Sequence, residues 1–203
     1  MSIRTSKVWL FIAALIVTGC GDLSGLGGTR SAPKSVTLSD GYVVVGERGW
    51  CVDKRTTRSR DDVSVVVFGS CAALSRNALA PRPPIEGVLM VSVQAGQMPD
   101  TRSLARFFET DLGRSRLSHD GKAKEAKLLY SDVSGGALLL QIEDAGLRDR
   151  FKGSSTTYWR ALFGHAGRMV SISVIPKTPI SKTEGRALLE RQIGVLKRGN
   201  SGA

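Results

Sequence analysis

The chain has 203 residues, 41% of them hydrophobic and 23% charged, with 29 Lys and Arg against 18 Asp and Glu. That length suits one compact domain with a short appendage, and a mean hydropathy of −0.05 excludes both a polytopic membrane protein and a fully disordered chain. A formal net charge of +11 leaves a basic surface to explain.

Residues 1–19 carry two cations, Arg4 and Lys7, then an apolar run from Val8 to Val17 that ends in small residues before Cys20. This is the pattern of an export signal peptide. A helix from Val8 to Gly19 would span roughly 18 Å, short of the roughly 30 Å hydrocarbon core that a permanent span must cross. Val17-Thr18-Gly19-Cys20 resembles the lipobox of bacterial lipoproteins: a branched apolar residue, two small residues, then cysteine. The resemblance implies cleavage before Cys20, acylation of its thiol with chains such as palmitate, and a protein anchored in the cell envelope facing the periplasm. The plainer alternative is a leader cut nearby that leaves Cys20 a free thiol. Each buried methylene contributes about 0.8 kcal/mol, so two or three acyl chains would hold the protein at a bilayer. Gly21, rather than an acid, follows the cysteine, which leans the sorting towards the outer membrane, although Asp22 comes next.

Residues 20–35 are rich in Gly and Ser without a period and read as a tether with a reach of roughly 20 Å. A single folded domain is expected over 36–199. It opens with two β-rich pieces around Asp40-Gly41, a hairpin signal over 36–45. Residues 46–62 are polar and turn-prone. Strands are expected at 63–68 and 88–93, separated by Pro81, Pro83 and Pro84. Asp100 or Thr101 caps a helix in which Leu104, Phe107, Phe108 and Leu112 share a face, with Gly113 placed to end it. Four strands follow, at 126–133, 137–142, 157–163 and 169–175, in two hairpins around Gly135-Gly136 and Gly164-His165-Ala166-Gly167. Ser181 and Glu184 form a capping-box signal for a last helix lined by Leu188, Leu189, Ile193 and Leu196.

The expected class is therefore α+β, with two helices against a mostly antiparallel sheet. This order of elements is similar to the photosystem PsbP and Mog1-like fold. The mature chain also looks like a family of small uncharacterised proteobacterial envelope lipoproteins, through Gly49-Trp50-Cys51-Val52-Asp53, Phe68-Gly69-Ser70-Cys71, Trp159-Arg160-Ala161-Leu162 and Gly185-Arg186-Ala187-Leu188-Leu189. That likeness implies a location and no activity.

With Cys20 acylated, Cys51 and Cys71 remain as an even pair in an oxidising compartment, and one disulfide is expected between them; the alternative is two reduced buried thiols. Loss of Arg4 and Lys7 with the leader still leaves a net charge of +9. One basic cluster comprises Lys54, Arg55, Arg58 and Arg60, a possible anion contact; another comprises Arg114, Arg116, Lys122, Lys124 and Lys127. Export makes lipid or glycan phosphates the expected partners. No aromatic residues interleave the cations as a single-strand nucleic-acid platform requires, so nucleic acid is not expected. A solvated basic surface without a partner is the plain alternative.

The two histidines, His119 and His165, fall in turns and read as solvated residues. There is no Gly-x-Ser-x-Gly elbow, no Cys-x-x-Cys pair, no His-x-x-x-His and no phosphate-binding glycine fingerprint, so no catalytic residue, metal or cofactor is expected. Trp50, Tyr158 and Trp159 are the large aromatics; on a strand, Tyr158 and Trp159 should point to opposite faces, one inward and one outward. The expectation is a non-catalytic envelope lipoprotein that acts as a structural or protein-interaction module. The alternative is a binder of a small molecule or polyanion, which an apolar pocket lined by Arg would favour. An enzyme would instead bring ionisable groups into one cleft, such as Asp53 or Asp144 beside a histidine.

Overall fold

The computed structural model describes residues 31–60, 62–147 and 151–201. The leader, the lipobox with Cys20 and most of the tether lie outside the described residues. A short antiparallel hairpin of β1 (Ser35–Thr37) and β2 (Val43–Val45) comes first. Two short strands that the polar stretch 46–62 concealed follow, β3 (Trp50–Val52) and β4 (Arg58–Ser59), and both pair with β5 (Val63–Ser70). Next come α1 (Cys71–Ser75), β6 (Gly87–Ala95), α2 (Thr101–Glu109) and α3 (Asp111–Leu117). The strands β7 (Ala126–Ser134), β8 (Ala137–Asp144), β9 (Thr157–His165) and β10 (Arg168–Pro176) precede α4 (Lys182–Gly199). The main sheet runs β3-β5-β6-β10-β9-β8-β7 with β4 beside β5, and every described pairing is antiparallel. The α+β class holds, with four helices among the described residues rather than two.

The strand patterns dictate two faces. On the first, Val66, Phe68, Leu89, Val91, Trp159, Phe163, Val170 and Ile172 form a core closed by Leu188, Leu189, Ile193 and Leu196 of α4 and by the β1–β2 hairpin. On the second, Leu138, Leu140, Ile142, Tyr158 and Leu162 pack with Phe108 and Leu117 of α2 and α3. Both Tyr158 and Trp159 are therefore buried, at 3% and 0% exposure, which corrects the expectation that one points outward. Alternation does send them to opposite faces, but helices cover both.

A register shift between Leu128 and Tyr130 lets β7 serve the two cores in turn. Ala126 and Leu128 belong to the second face, whereas Tyr130 packs with the first. One extra residue inverts the parity of everything beyond it. Arg186 of α4 then donates to Asp132 Oδ2 at 2.6 Å, to the Tyr130 hydroxyl at 3.3 Å and to Ser134 Oγ at 3.1 Å.

The helix expected to end at Gly113 is two helices. Asp100 caps α2 by accepting from Ser103 N–H at 2.8 Å, and Thr110 caps α3 by accepting from Gly113 N–H at 3.0 Å. Gly113 is inside α3, and a Cβ there would lie 1.9 Å from the Phe107 carbonyl oxygen. Glycine is required by close approach rather than as a terminator. The capping box on α4 is present as expected: Glu184 N–H donates to Ser181 Oγ at 3.2 Å and Ser181 N–H to Glu184 Oε2 at 3.0 Å.

The β1–β2 hairpin stands outside the main sheet, and side chains of the last helical turns satisfy its free edge. Asn200 accepts from Val43 N–H at 2.7 Å and donates to Val43 O at 2.8 Å; Gln192 accepts from Glu47 N–H at 2.9 Å and donates to Val45 O at 2.7 Å. Pro33 and Lys34, in the segment read as tether, already bond to the fold by accepting from Val52 N–H and Gly46 N–H at 2.7 and 3.0 Å. Cys51 of β3 and Cys71 of α1 are joined as a disulfide, as the cysteine count suggested.

Candidate functional site

Sheet register places a transverse row on the second face. Val67 is opposite Met90, Met90 opposite Ser173, Ser173 opposite Arg160 and Arg160 opposite Leu140. The helices α2 and α3 pack on β7 and β8. Over β5 and β6 the same face keeps Val63, Val65, Val67, Val88 and Met90 only half-buried. Together with Phe151 these residues line a groove of about 650 Å³, with Asp53, Thr56, Arg58 and Arg60 on its rim. Met90 and Phe151 also line a smaller chamber of about 200 Å³, so the two spaces adjoin.

The chamber is polar. Arg160 Nε donates to Ser173 Oγ at 3.0 Å, and its guanidinium lies 5.3 Å from the centre of the Tyr158 ring. Among the described residues no carboxylate pairs with Arg160. Tyr158 donates its hydroxyl proton to Leu117 O at 2.6 Å. Burial raises the Tyr158 hydroxyl above the ordinary phenol range, against the pull of Arg160. Asp144, at 0% exposure, accepts from His119 N–H at 2.7 Å and from Gly146 N–H at 3.0 Å. The convergence that an acid–base site needs is thus present in position, since Asp144 and His119 share a wall with Tyr158 and Arg160. The Asp144 carboxylate clamps the backbone of the turn that carries His119, and the Tyr158 hydroxyl anchors the end of α3. What the chamber offers a ligand is a half-buried guanidinium on a hydroxyl-bearing wall.

The four cations singled out in the sequence divide between two places. Arg58 and Arg60 rim the groove, with Arg58 Nη1 donating to the Arg55 and Thr57 carbonyls at 2.7 and 3.0 Å. Lys54 and Arg55 line a separate depression with Ala32 and Pro33. None of the four pairs with a carboxylate among the described residues. The second basic cluster differs. Arg114 pairs with Asp111, Lys122 with Asp120 and Glu125, and Lys127 with Glu143. Arg116 and Lys124 have no ion pair among the described residues, and an open depression of about 740 Å³ beside α3 and β7 is lined by the paired Asp111, Arg114 and Lys127 together with Lys124. Sequence reasoning missed Arg160 and Ser173 as site residues; the available signal was an arginine at a facing position in the apolar strand 158–163.

His165 corrects the reading of a solvated turn residue. Its ring packs edge-on against Tyr42 with centroids 6.2 Å apart, and its Nδ1 is buried. Burial pushes the Tyr42 hydroxyl up to about 12, while Arg168, 5.6 Å from the ring centre, pulls the other way. A phenol raised in the folded state leaves stability intact below about pH 10 and withdraws it as pH climbs through about 12. Tyr42→Phe should therefore flatten the loss of stability over that interval in urea melts; an unchanged slope would refute the assignment.

Among the described residues no three His, Cys, Asp or Glu side chains gather as a metal-ligand set, and no helix is long and apolar enough to cross a membrane. No family model and no curated protein matches the chain. Among solved structures, the chain is similar to the solution structure of cyanobacterial PsbP (CyanoP) from Synechocystis, at 13% identity and a TM-score of 0.39, covering 87% of this chain and 95% of that one. The likeness is a weak one of fold and carries no functional argument.

Proposed function

We propose that the protein is a non-catalytic cell-envelope lipoprotein, held at a membrane by acyl chains on Cys20, whose domain binds an amphipathic anion. The groove on the second sheet face carries this reading: a half-buried valine and methionine floor with Arg58 and Arg60, which pair with no carboxylate among the described residues, on its rim. An apolar body would lie along Val63, Val65, Val67, Val88 and Met90, while an acidic group would meet the rim arginines or Arg160. Ligand sites commonly combine a mostly apolar concavity of such size with a few placed polar groups. Arginine suits the task because its planar fork matches carboxylate and phosphate oxygens. The lipobox pattern and the disulfide support the extracytoplasmic half of the reading.

The test uses the chain from residue 20 onward carrying Cys20→Ala, titrated calorimetrically with dodecyl phosphate and, in parallel, with dodecanol. Binding of the phosphate and at least tenfold weaker binding of the alcohol are expected. Val65→Glu, which sets a carboxylate in the floor, and Arg58→Glu with Arg60→Glu should each weaken the phosphate by about tenfold or more, the loss of 1.4 kcal/mol or more. Equal affinity for both probes, or variants that bind like the parent, would overturn the ligand assignment. The anchor is tested separately: if Cys20→Ala protein stays with membranes after salt extraction from cells, acylation is not what holds it.

A further inference from the structure

The described chain begins at Ser31, and Ser31, Ala32 and Pro33 line a depression of about 360 Å³ together with Lys54, Arg55 and Arg76. The residues that precede Ser31 therefore join the domain beside these cations. A neighbouring depression shares Leu74 and Arg76 and continues to Arg82. Between Arg76 and Arg82 stands Leu79, 93% exposed, with Leu74 at 37% nearby. An isolated surface leucine carries no message. This one is held outward by an ordered turn: Leu79 N–H donates to Asn77 Oδ1 at 3.0 Å, Ala80 N–H to Asn77 O at 3.1 Å, and Asn77 N–H to Ala72 O at 3.1 Å. The disulfide at Cys71 fixes the base of the same helix.

Among the described residues none of Lys54, Arg55, Arg76 and Arg82 pairs with a carboxylate. Asp53, the acid of this depression, accepts the Arg55 N–H at 3.0 Å. An exposed leucine on a face where Lys54, Arg55, Arg76 and Arg82 have no carboxylate partner among the described residues fits a partner that is apolar inside and anionic at its surface. We propose that this face is the surface by which the domain lies on an anionic lipid bilayer, with Leu79 in the interfacial layer and the cations at headgroup level. Such surfaces combine apolar insertion with attraction to acidic lipids, and each cation near the headgroups contributes roughly fivefold. The entry of the Cys20 segment on this side selects the bilayer as occupant, since an anchor there draws this face to the membrane. The choice of occupant rests on the acyl anchor proposed above and not on the groove ligand.

The test again takes the chain from residue 20 with Cys20→Ala, and adds vesicles of phosphatidylcholine with and without phosphatidylglycerol. A single environment-sensitive fluorophore is placed on Leu79→Cys, and in a control on Leu112→Cys, which is 60% exposed on α3. The expected result is co-sedimentation with the anionic vesicles only and a blue-shifted emission from position 79 but not 112. Arg76→Glu with Arg82→Glu should lower partitioning on the order of 20-fold. Equal shifts at the two positions, no shift at 79 on vesicles that sediment the protein, no binding to the anionic vesicles, or a charge-reversed variant that binds like the parent would each overturn the assignment.

Discussion

Gly185→Ala is expected to destabilise the domain by about 3 kcal/mol or more, at the upper end of overpacking effects in a well-filled core. Helix propensity alone predicts the opposite sign, because alanine in a helix interior is favoured over glycine by about 1 kcal/mol. Geometry decides the contest. Gly185 sits in the first turns of α4 directly over Trp159, and a Cβ would fall 2.0 Å from Cε2 and 2.3 Å from Nε1 of an indole that is 0% exposed. The ring is fully buried in the first core, with Tyr130 beside it at 6.0 Å between ring centres. Either α4 lifts from its face or the indole leaves its position, and both open the first core. Chemical denaturation would show the midpoint fall. Combining Gly185→Ala with Trp159→Leu should cost clearly less than the two single losses added together, because the smaller side chain removes the collision. Strict additivity would show that the contact is not the cause.

Removal of the disulfide is the second large effect. The bond closes a loop across 20 residues of sequence, and the loop-entropy model gives about 3 kcal/mol for it. Cys51→Ala with Cys71→Ala should lower Tm by about 6–12 °C for a domain of this size. The local consequence is sharper than the global one. β3 has three residues and α1 has five, too few to hold themselves without the crosslink. Amide exchange should therefore accelerate in both before the rest of the sheet responds. A melting curve that reducing agent leaves unchanged would contradict the prediction.

Much of the framework was legible because local chemistry and tertiary packing agree in it. The β-branched run at 63–68, the capping box at Ser181 and Glu184, and the Asp40-Gly41 turn each name an element by themselves. The errors lie where one residue type serves two ends. Gly113 reads as a helix terminator, yet its missing side chain is required by the Phe107 carbonyl, a contact between two helices that no periodicity reveals. The split of α2 from α3 at Thr110 was visible as a second capping residue and was hidden by the apolar spacing that runs through it. β3 and β4 escaped because an apolar strand of three residues and a polar one of two are too short to show an alternation. The groove could not be read at all. Val63, Val65 and Val67 alternate as any half-buried strand does, and only the placement of α2 and α3 over β7 and β8 determines that they stay open.

The clamp of Asn200 and Gln192 on the N-terminal hairpin sets an order of events in time. Its bonds span 157 and 145 residues of sequence, close to the whole length of the domain. A chain is made from its amino end, so Val43 is present well before the two residues that complete its edge. During that interval the hairpin has unpaired backbone groups, and it docks only once the final helical turn has arrived. Contacts of such long range are the slowest to close. The amino-terminal hairpin is consequently the last part of the domain to become native, and deleting a handful of residues from the far terminus would act on the opposite end of the chain.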